Sequence, residues 1–393
     1  MWVRGYFKCV VWWWWLCCME CQAAAGVNST SREKRGVLLK SILLGSTSGL
    51  GCALVCALLI RCIFIYIINR VPILRGPVVF SPSISPKSLQ AALVSNQLVH
   101  LGGGPSSLNN NNAQEGGGGK YYKATLLDNG FTVAVKKLPP FDVNHNKTRR
   151  RMQRDLEILA GLRHRHLLTL RAYLYDEDTG SGSGSGRFCL VYDYVPSGSL
   201  EDAMKPRTDN GLLMLQMGWD ARLRIAVGII KALHFLHFTH SLCHFNLKPS
   251  NVLLDPDFEP RLTDSGFPPC ASHHYYYYYA PECFPNFSMY TEKSDIFSFG
   301  VILGILLTGR DPSDPLFGQA TSGSRGDMGM WFRQLVETGD AREALDKSLL
   351  GQEMEEDEML MAVRIAAVCL SDMPADRPSS DELVPMLTQL HSF

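Results

Sequence analysis

The sequence has no net charge: 38 Lys and Arg residues balance 38 Asp and Glu over 393 positions. Without a basic excess, nucleic-acid binding held mainly by phosphate contacts is excluded. Charged residues are scarce at 19%, against 46% hydrophobic, so the bulk of the chain is not disordered. Cysteine is too sparse for a disulfide scaffold, at 12 in this length. Cys189, Cys243, Cys270, Cys283 and Cys369 lack the paired spacing of a metal site. The length is about twice that of a typical domain, enough to bury a proper core.

Apolar residues are instead concentrated near the N-terminus. Arg4 and Lys8 precede an apolar stretch from Cys9 to Met19, and Ala23, Ala24 and Ala25 supply small residues for cleavage. This is the pattern of a secretory signal over residues 1–25. The alternative is an uncleaved anchor, but the apolar run falls short of the roughly 20 residues a span needs. Ile42 to Ile60 has no charge. At about 1.5 Å per residue it would cover roughly 28 Å as a helix, close to the hydrocarbon thickness of a bilayer. The span can extend to residue 68 with Arg61 snorkelling. A buried core helix is the alternative, and the basic flanks favour the membrane.

Basic residues lie on both sides of this span, so charge alone does not orient it. A cleaved signal does. Residues 26–41 then lie outside and residues 61–393 in the cytosol, a single-pass type I arrangement. Asn28 opens a glycosylation sequon with Ser29 and Thr30, consistent with exposure on that side. The outer segment is too short to fold and has no cysteine, so extracellular sensing must come from a partner. Gly45 and Gly49 form a pattern that favours close helix pairing, although glycine is common in membrane helices anyway.

Residues 61–97 are expected to be a Pro- and Ser-rich linker beside the membrane, ahead of a folded domain over 98–390. Two low-complexity stretches, 102–119 and 180–186, are expected as flexible inserts. Phe131 to Leu138 alternates as a strand, with Val133 and Val135 on one face and Ala134 and Lys136 on the other. Arg150 to Leu162 has helical character, and Phe188 to Val195 is a second, buried strand. Helical stripes dominate afterwards, including the nearly all-apolar run Ile296 to Leu307. Strands first and helices later predict an α+β chain with a small β-rich lobe and a larger helical lobe.

Short motifs fall in order on these elements. Val133-Ala134-Val135-Lys136 carries a lysine within a strand. His244 to Asn251, Asp264-Ser265-Gly266 and Ala280-Pro281-Glu282 follow, then Asp295 and Arg377. In this order they resemble the protein kinases. Tyr192 to Leu200, and Cys369 to Asp372 through Arg377-Pro378, narrow the resemblance to plant receptor-like kinases.

That resemblance assigns positions. Lys136 stands where nucleotide phosphates are held, and Asn251 and Asp264 where magnesium is held. Asp155 stands at the helix position of the lysine's usual glutamate partner, one methylene shorter. Asn246 replaces the aspartate that accepts the substrate hydroxyl proton, while Lys248 is retained. A carboxamide cannot take that proton at neutral pH, and general-base help is typically worth ~10²–10⁴-fold. Phe245 replaces the arginine that pairs with an activation-segment phosphate, and Ser265 replaces the aromatic of the metal-binding motif. Glu282, Asp295 and Arg377, which hold the larger lobe together, are all kept. Tyr275 to Tyr279, and Glu353 to Glu358, are expected to be a low-complexity run and a solvated helix end.

The resemblance implies a two-lobed, plasma-membrane pseudokinase that passes through the endoplasmic reticulum during assembly. It implies a partner: a leucine-rich-repeat receptor-like protein without a kinase domain, joined through the membrane helix, with self-association and larger receptor complexes as further options. It implies relay of small CLE-type peptide signals that limit stem-cell proliferation in meristems. No cofactor is required on this reading. Retained Lys136, Asn251 and Asp264 leave two alternatives, a weak Ser/Thr kinase and a scaffold that binds ATP and Mg without transfer.

Overall fold

The computed structural model describes residues 51, 55–63, 76–94, 99–101, 120–138, 141–142, 146–177, 185–204, 206–207, 211–212, 217–266, 277–284, 287–317, 327–350 and 355–390. The chain divides into two units, residues 1–72 and 73–393. In the first, residues 55–63 are helical, and Val55, Leu58, Leu59, Ile60 and Ile63 are exposed. Among the described residues no helix is long and apolar enough to cross a membrane. The expected signal, the Asn28 sequon, most of the expected span and the 102–119 insert lie outside the described residues.

The second unit begins with a seven-stranded sheet. Its strands are β1 (Val78–Val79), β2 (Val99–Leu101), β3 (Lys120–Thr125), β4 (Thr132–Lys137), β5 (Phe141–Asp142), β6 (Leu170–Glu177) and β7 (Ser185–Asp193). The order is β1-β6-β7-β4-β3-β2, with β5 also on β7, and every pairing is antiparallel. Period-two alternation decides which face each residue takes. Val133 and Val135 of β4 meet Ala172, Cys189 and Val191 on one face. Phe188, Leu190 and Tyr192 turn to the other face, against Leu156 and Ala160 of helix α2 (Asn146–Gly161).

The segment expected as a linker is partly folded. Helix α1 (Pro86–Val94) places fully buried Leu89, with Ala92 and Ile84, on the outer face of the sheet beside Leu126 and Val133. Strand β1 pairs Val78 with Tyr173 and Val79 with Ala172 of β6. The folded domain therefore starts well ahead of residue 98. Pro and Ser dominate the composition of that stretch, but three apolar side chains suffice to seat it. The end of the second expected insert is also ordered: Ser185 and Gly186 belong to β7, pairing with β5, and Gly186 also pairs with Glu177.

The larger lobe is helical. Helix α3 (Leu200–Met204) and strands β8 (Pro206–Arg207) and β9 (Gly211–Leu212) lead to α4 (Trp219–His234), which runs into a π-helical turn, Phe235–Thr239. A hairpin of β10 (Val252–Leu254) and β11 (Pro260–Leu262) follows. Then come α5 (Glu292–Thr308), α6 (Met328–Thr338), α7 (Glu356–Cys369) and α8 (Ser380–Gln389). Helix α5 is buried on all sides, as its unbroken apolar sequence requires, and packs against α4, α6 and α7. Thr291 and Ser294 cap its start reciprocally. Gly309 ends it at φ 67°, where a Cβ would come within 2.6 Å of the Asp346 carboxylate, so glycine is required twice over.

Candidate functional site

The site is set up by strand register. Tyr121 of β3 lies directly opposite Lys136 of β4, and Lys136 lies opposite Leu190 of β7. Side chains in register share a face. Tyr121, Lys136 and Leu190 therefore form one row on the side of the sheet away from Val133 and Val135. Tyr192 joins that face opposite Ala134.

Asp264 follows β11 and meets this row. It sits at φ 64°, a left-handed conformation uncommon for a non-glycine residue. Its Oδ2 pairs with the Lys136 ammonium, and the Tyr121 hydroxyl donates to the same oxygen at 2.9 Å. The Lys136 nitrogen lies 5.0 Å from the centroid of the Tyr121 ring. Lys136 and Asp264 are both buried. Burial, then the Asp264 charge, push the Tyr121 phenol well above its ordinary value, so it remains a protonated donor at physiological pH. The same two causes act in the same order on Tyr192.

The loop from His244 to Asn251 is held from below. Asp295, at the start of α5, accepts the backbone N–H of His244 at 2.6 Å and that of Phe245 at 3.1 Å. It also accepts from the Tyr290 hydroxyl at 2.6 Å, and His237 Nε2 lies 2.9 Å from it. Phe245 adopts φ 66°, and its ring packs on Tyr290 at 4.9 Å. The Asn251 amide donates to the Asn246 backbone carbonyl at 2.7 Å, so its nitrogen holds the loop. Asn246 is buried, and among the described residues its side-chain oxygen has no hydrogen-bond partner. Lys248 is buried beside it. Burial, then the charge of Lys136, lower its amine to about 8.

The structure thus brings Lys136, Asn246, Lys248, Asn251 and Asp264 to one cleft. Asp155 is not among them. It is exposed on α2, whose buried side chains are Gln153, Leu156 and Ala160, and among the described ion pairs Lys136 has Asp264 as its partner. The helix phase that buries Leu156 turns Asp155 outward. Glu282 and Arg377 form a two-pronged pair, with both bonds at 2.8 Å, and Arg377 is almost wholly buried. Glu358, expected as part of a solvated helix end, is partly buried and accepts the Trp219 indole at 2.9 Å. Tyr278 and Tyr279 of the tyrosine run are buried in the core of the larger lobe. Tyr275 and Tyr276 lie outside the described residues.

Sequence reasoning missed Tyr121, Tyr192, His237 and Tyr290. The first two become visible only through strand pairing. The last two carried no motif, though Tyr290 stands five residues before Asp295.

The group that the fold implies, a nucleotide with magnesium, fits these side chains poorly. A divalent cation needs carboxylate lone pairs at about 2.0–2.1 Å. Asp264 Oδ2 already accepts from both Lys136 and Tyr121. The Lys136 charge is neutralised by Asp264 rather than offered to phosphates. At the position where the resemblance expects a proton-accepting aspartate stands the carboxamide Asn246, which cannot act as a base at neutral pH.

The protein kinase domain family matches residues 113–386. The chain belongs to the protein kinase family. It is 51% identical over 338 residues to the inactive leucine-rich repeat receptor-like protein kinase CORYNE of Arabidopsis thaliana, covering 83% of this chain and 77% of that one. It is 33% identical over 346 residues to the leucine-rich repeat receptor-like serine/threonine/tyrosine-protein kinase SOBIR1 of the same plant, covering 80% of this chain but 49% of SOBIR1. Among solved structures, the pseudokinase domain of BIR2, an immune regulator of the RLK/Pelle family, superposes with a TM-score of 0.59 at 25% identity. That match covers 82% of this chain and 92% of BIR2's. The kinase fold and its two lobes are thereby established. The expected pseudokinase character agrees with the inactive relative and with the pseudokinase neighbour.

Proposed function

We propose that the chain is a membrane-anchored receptor-like pseudokinase that signals by association rather than by phosphoryl transfer. The observation that carries this reading is the cleft itself. Asn246 stands where a base is needed, and Lys136 is committed to Asp264. The supports of the fold, Asp295 and the Glu282–Arg377 pair, are intact. A surface is maintained while turnover is lost.

Its partner on this reading is a leucine-rich-repeat receptor-like protein without a kinase domain, joined through residues 42–60 in the plasma membrane. The pair would perceive CLE-type peptides and restrain meristem stem cells. The likeness to CORYNE and other leucine-rich-repeat receptor-like kinases supports this. The shortness of the expected outer segment, residues 26–41, supports it too, since a segment of that length is expected to be too short to fold around a peptide.

Co-purification of the full-length protein from plant membranes tests the proposal. Residues 42–60 are exchanged for an unrelated span in a second version. The leucine-rich-repeat partner should be recovered with the first protein and lost with the second. Equal recovery with both would rule out pairing through the membrane helix.

A further inference from the structure

A metal–nucleotide complex entering this cleft would have to displace the Tyr121 side chain, which follows the glycine-rich stretch ending at Gly119. Tyr121 reaches across from β3 and donates to Asp264 Oδ2 at 2.9 Å. Its ring lies under the Lys136 ammonium, 5.0 Å from nitrogen to centroid. The cross-strand register, Tyr121 opposite Lys136, fixes this placement. Tyr192, 4% exposed, flanks the same carboxylate on the next part of the face. The cleft therefore already contains a buried acceptor anion, its buried counter-cation and a half-buried hydroxyl donor, all meeting at Asp264 Oδ2.

We propose that Tyr121 is an exclusion residue: its hydroxyl and ring occupy, on Asp264 and Lys136, the places that a divalent cation and the phosphates of a nucleoside triphosphate would take. Two consequences follow from the chemistry. A cation at Asp264 Oδ2 must strip two donors at once, since the lone pairs it needs point at Lys136 and Tyr121. The phosphates gain no free ammonium, because Lys136, 5% exposed, is already paired with Asp264. The lobes are thus joined across the cleft by protein groups alone, with no need for a bound nucleotide to hold them.

This proposal rests on the reading of the cleft as catalytically silent but makes a separate claim, about binding. The test uses the full-length protein in detergent micelles and measures melting temperature and equilibrium binding with ATP, with ATP plus magnesium, and with ATP plus manganese. Wild type, Tyr121→Phe and Tyr121→Ala are compared. Wild type should show no metal-dependent shift. Tyr121→Phe removes one oxygen and should tighten metal-dependent ATP binding at least about tenfold, the factor a hydrogen bond to a charged group carries. Tyr121→Ala, which also removes the ring, should tighten it further. If Tyr121→Ala does not fold, Tyr121→Phe decides alone. Wild type binding the metal–nucleotide as tightly as Tyr121→Phe overturns the proposal, as does a folded Tyr121→Phe protein with no gain. Label transfer measured in the same samples separates the two claims. Gained binding with background transfer supports both, and transfer by wild type overturns the silent-cleft reading.

Discussion

Asp295 Oδ2 accepts the backbone N–H of His244 at 2.6 Å, and this one carboxylate ties the buried helix α5 to the loop that carries Asn246. Four donors converge on it, two of them backbone N–H groups that no other described acceptor serves. Leaving a buried donor unsatisfied costs about 1–3 kcal/mol. Asp295→Ala should therefore lower stability by at least about 3 kcal/mol, measured from the urea midpoint. Asp295→Asn, which keeps one acceptor oxygen, should cost less. A loss under about 1 kcal/mol for the alanine variant would show that the loop is held by other means.

Glu282 and Arg377 predict behaviour in acid. Burial pushes the Glu282 carboxyl up, but hydrogen bonds from Arg377, its own backbone and Ser294 outweigh burial and leave it below its usual value of 4.5. A carboxylate with a depressed folded value contributes stability above its unfolded value and loses it as pH falls through the folded one. Wild type should therefore exceed Glu282→Gln in stability near neutrality, and the difference should shrink below pH 4.5. Melting curves from pH 6 downward read this directly. A difference that grows in acid would reverse the assignment.

Lys248 predicts the opposite side of the pH scale. Burial, then the Lys136 charge, lower its amine from 10.5 to about 8. Its ammonium is thus disfavoured in the folded state, and that penalty is fully present below about 8. As pH rises above 8, the folded protein releases the proton before the unfolded chain does, and stability rises. Lys248→Met should therefore be stabilised relative to wild type below pH 8, with the advantage fading as pH approaches 10.5. An advantage independent of pH would mean that packing, not charge, sets it.

Leu89 predicts that the segment beside the membrane belongs to the small lobe. It is fully buried between α1 and the sheet, with Leu126 and Val133 around it. Leu→Ala in such a place costs about 2–5 kcal/mol. Leu89→Ala should lose that much in chemical denaturation, whereas substitution of exposed Lys87 should lose almost nothing. Equal, small effects would show that α1 contributes no core.

Much of the fold was legible because its signals are local. The strand carrying Lys136 and the buried run Ile296 to Leu307 declare themselves by periodicity and unbroken apolarity. Glu282, Asp295 and Arg377 were singled out through their motifs; the structure pairs Glu282 with Arg377 and sets Asp295 against the His244 backbone. Asn246 was legible as a substitution. What escaped depended on relations between distant segments. Tyr121 follows a low-complexity stretch and acquires its role only when β3 registers against β4. The α1 segment looked like a linker because composition averages over the few apolar residues that seat it. Asp155 was assigned through the resemblance, and a position in a helical motif does not fix which way its side chain faces.

The account's central claim is a kinase fold kept for association with its transfer chemistry removed. Transfer of radiolabel from ATP tests it most directly, using full-length protein with magnesium or manganese, with Lys136→Ala as the control. The account predicts incorporation at background in wild type and no difference between the two proteins. Incorporation above background that disappears in Lys136→Ala would contradict it.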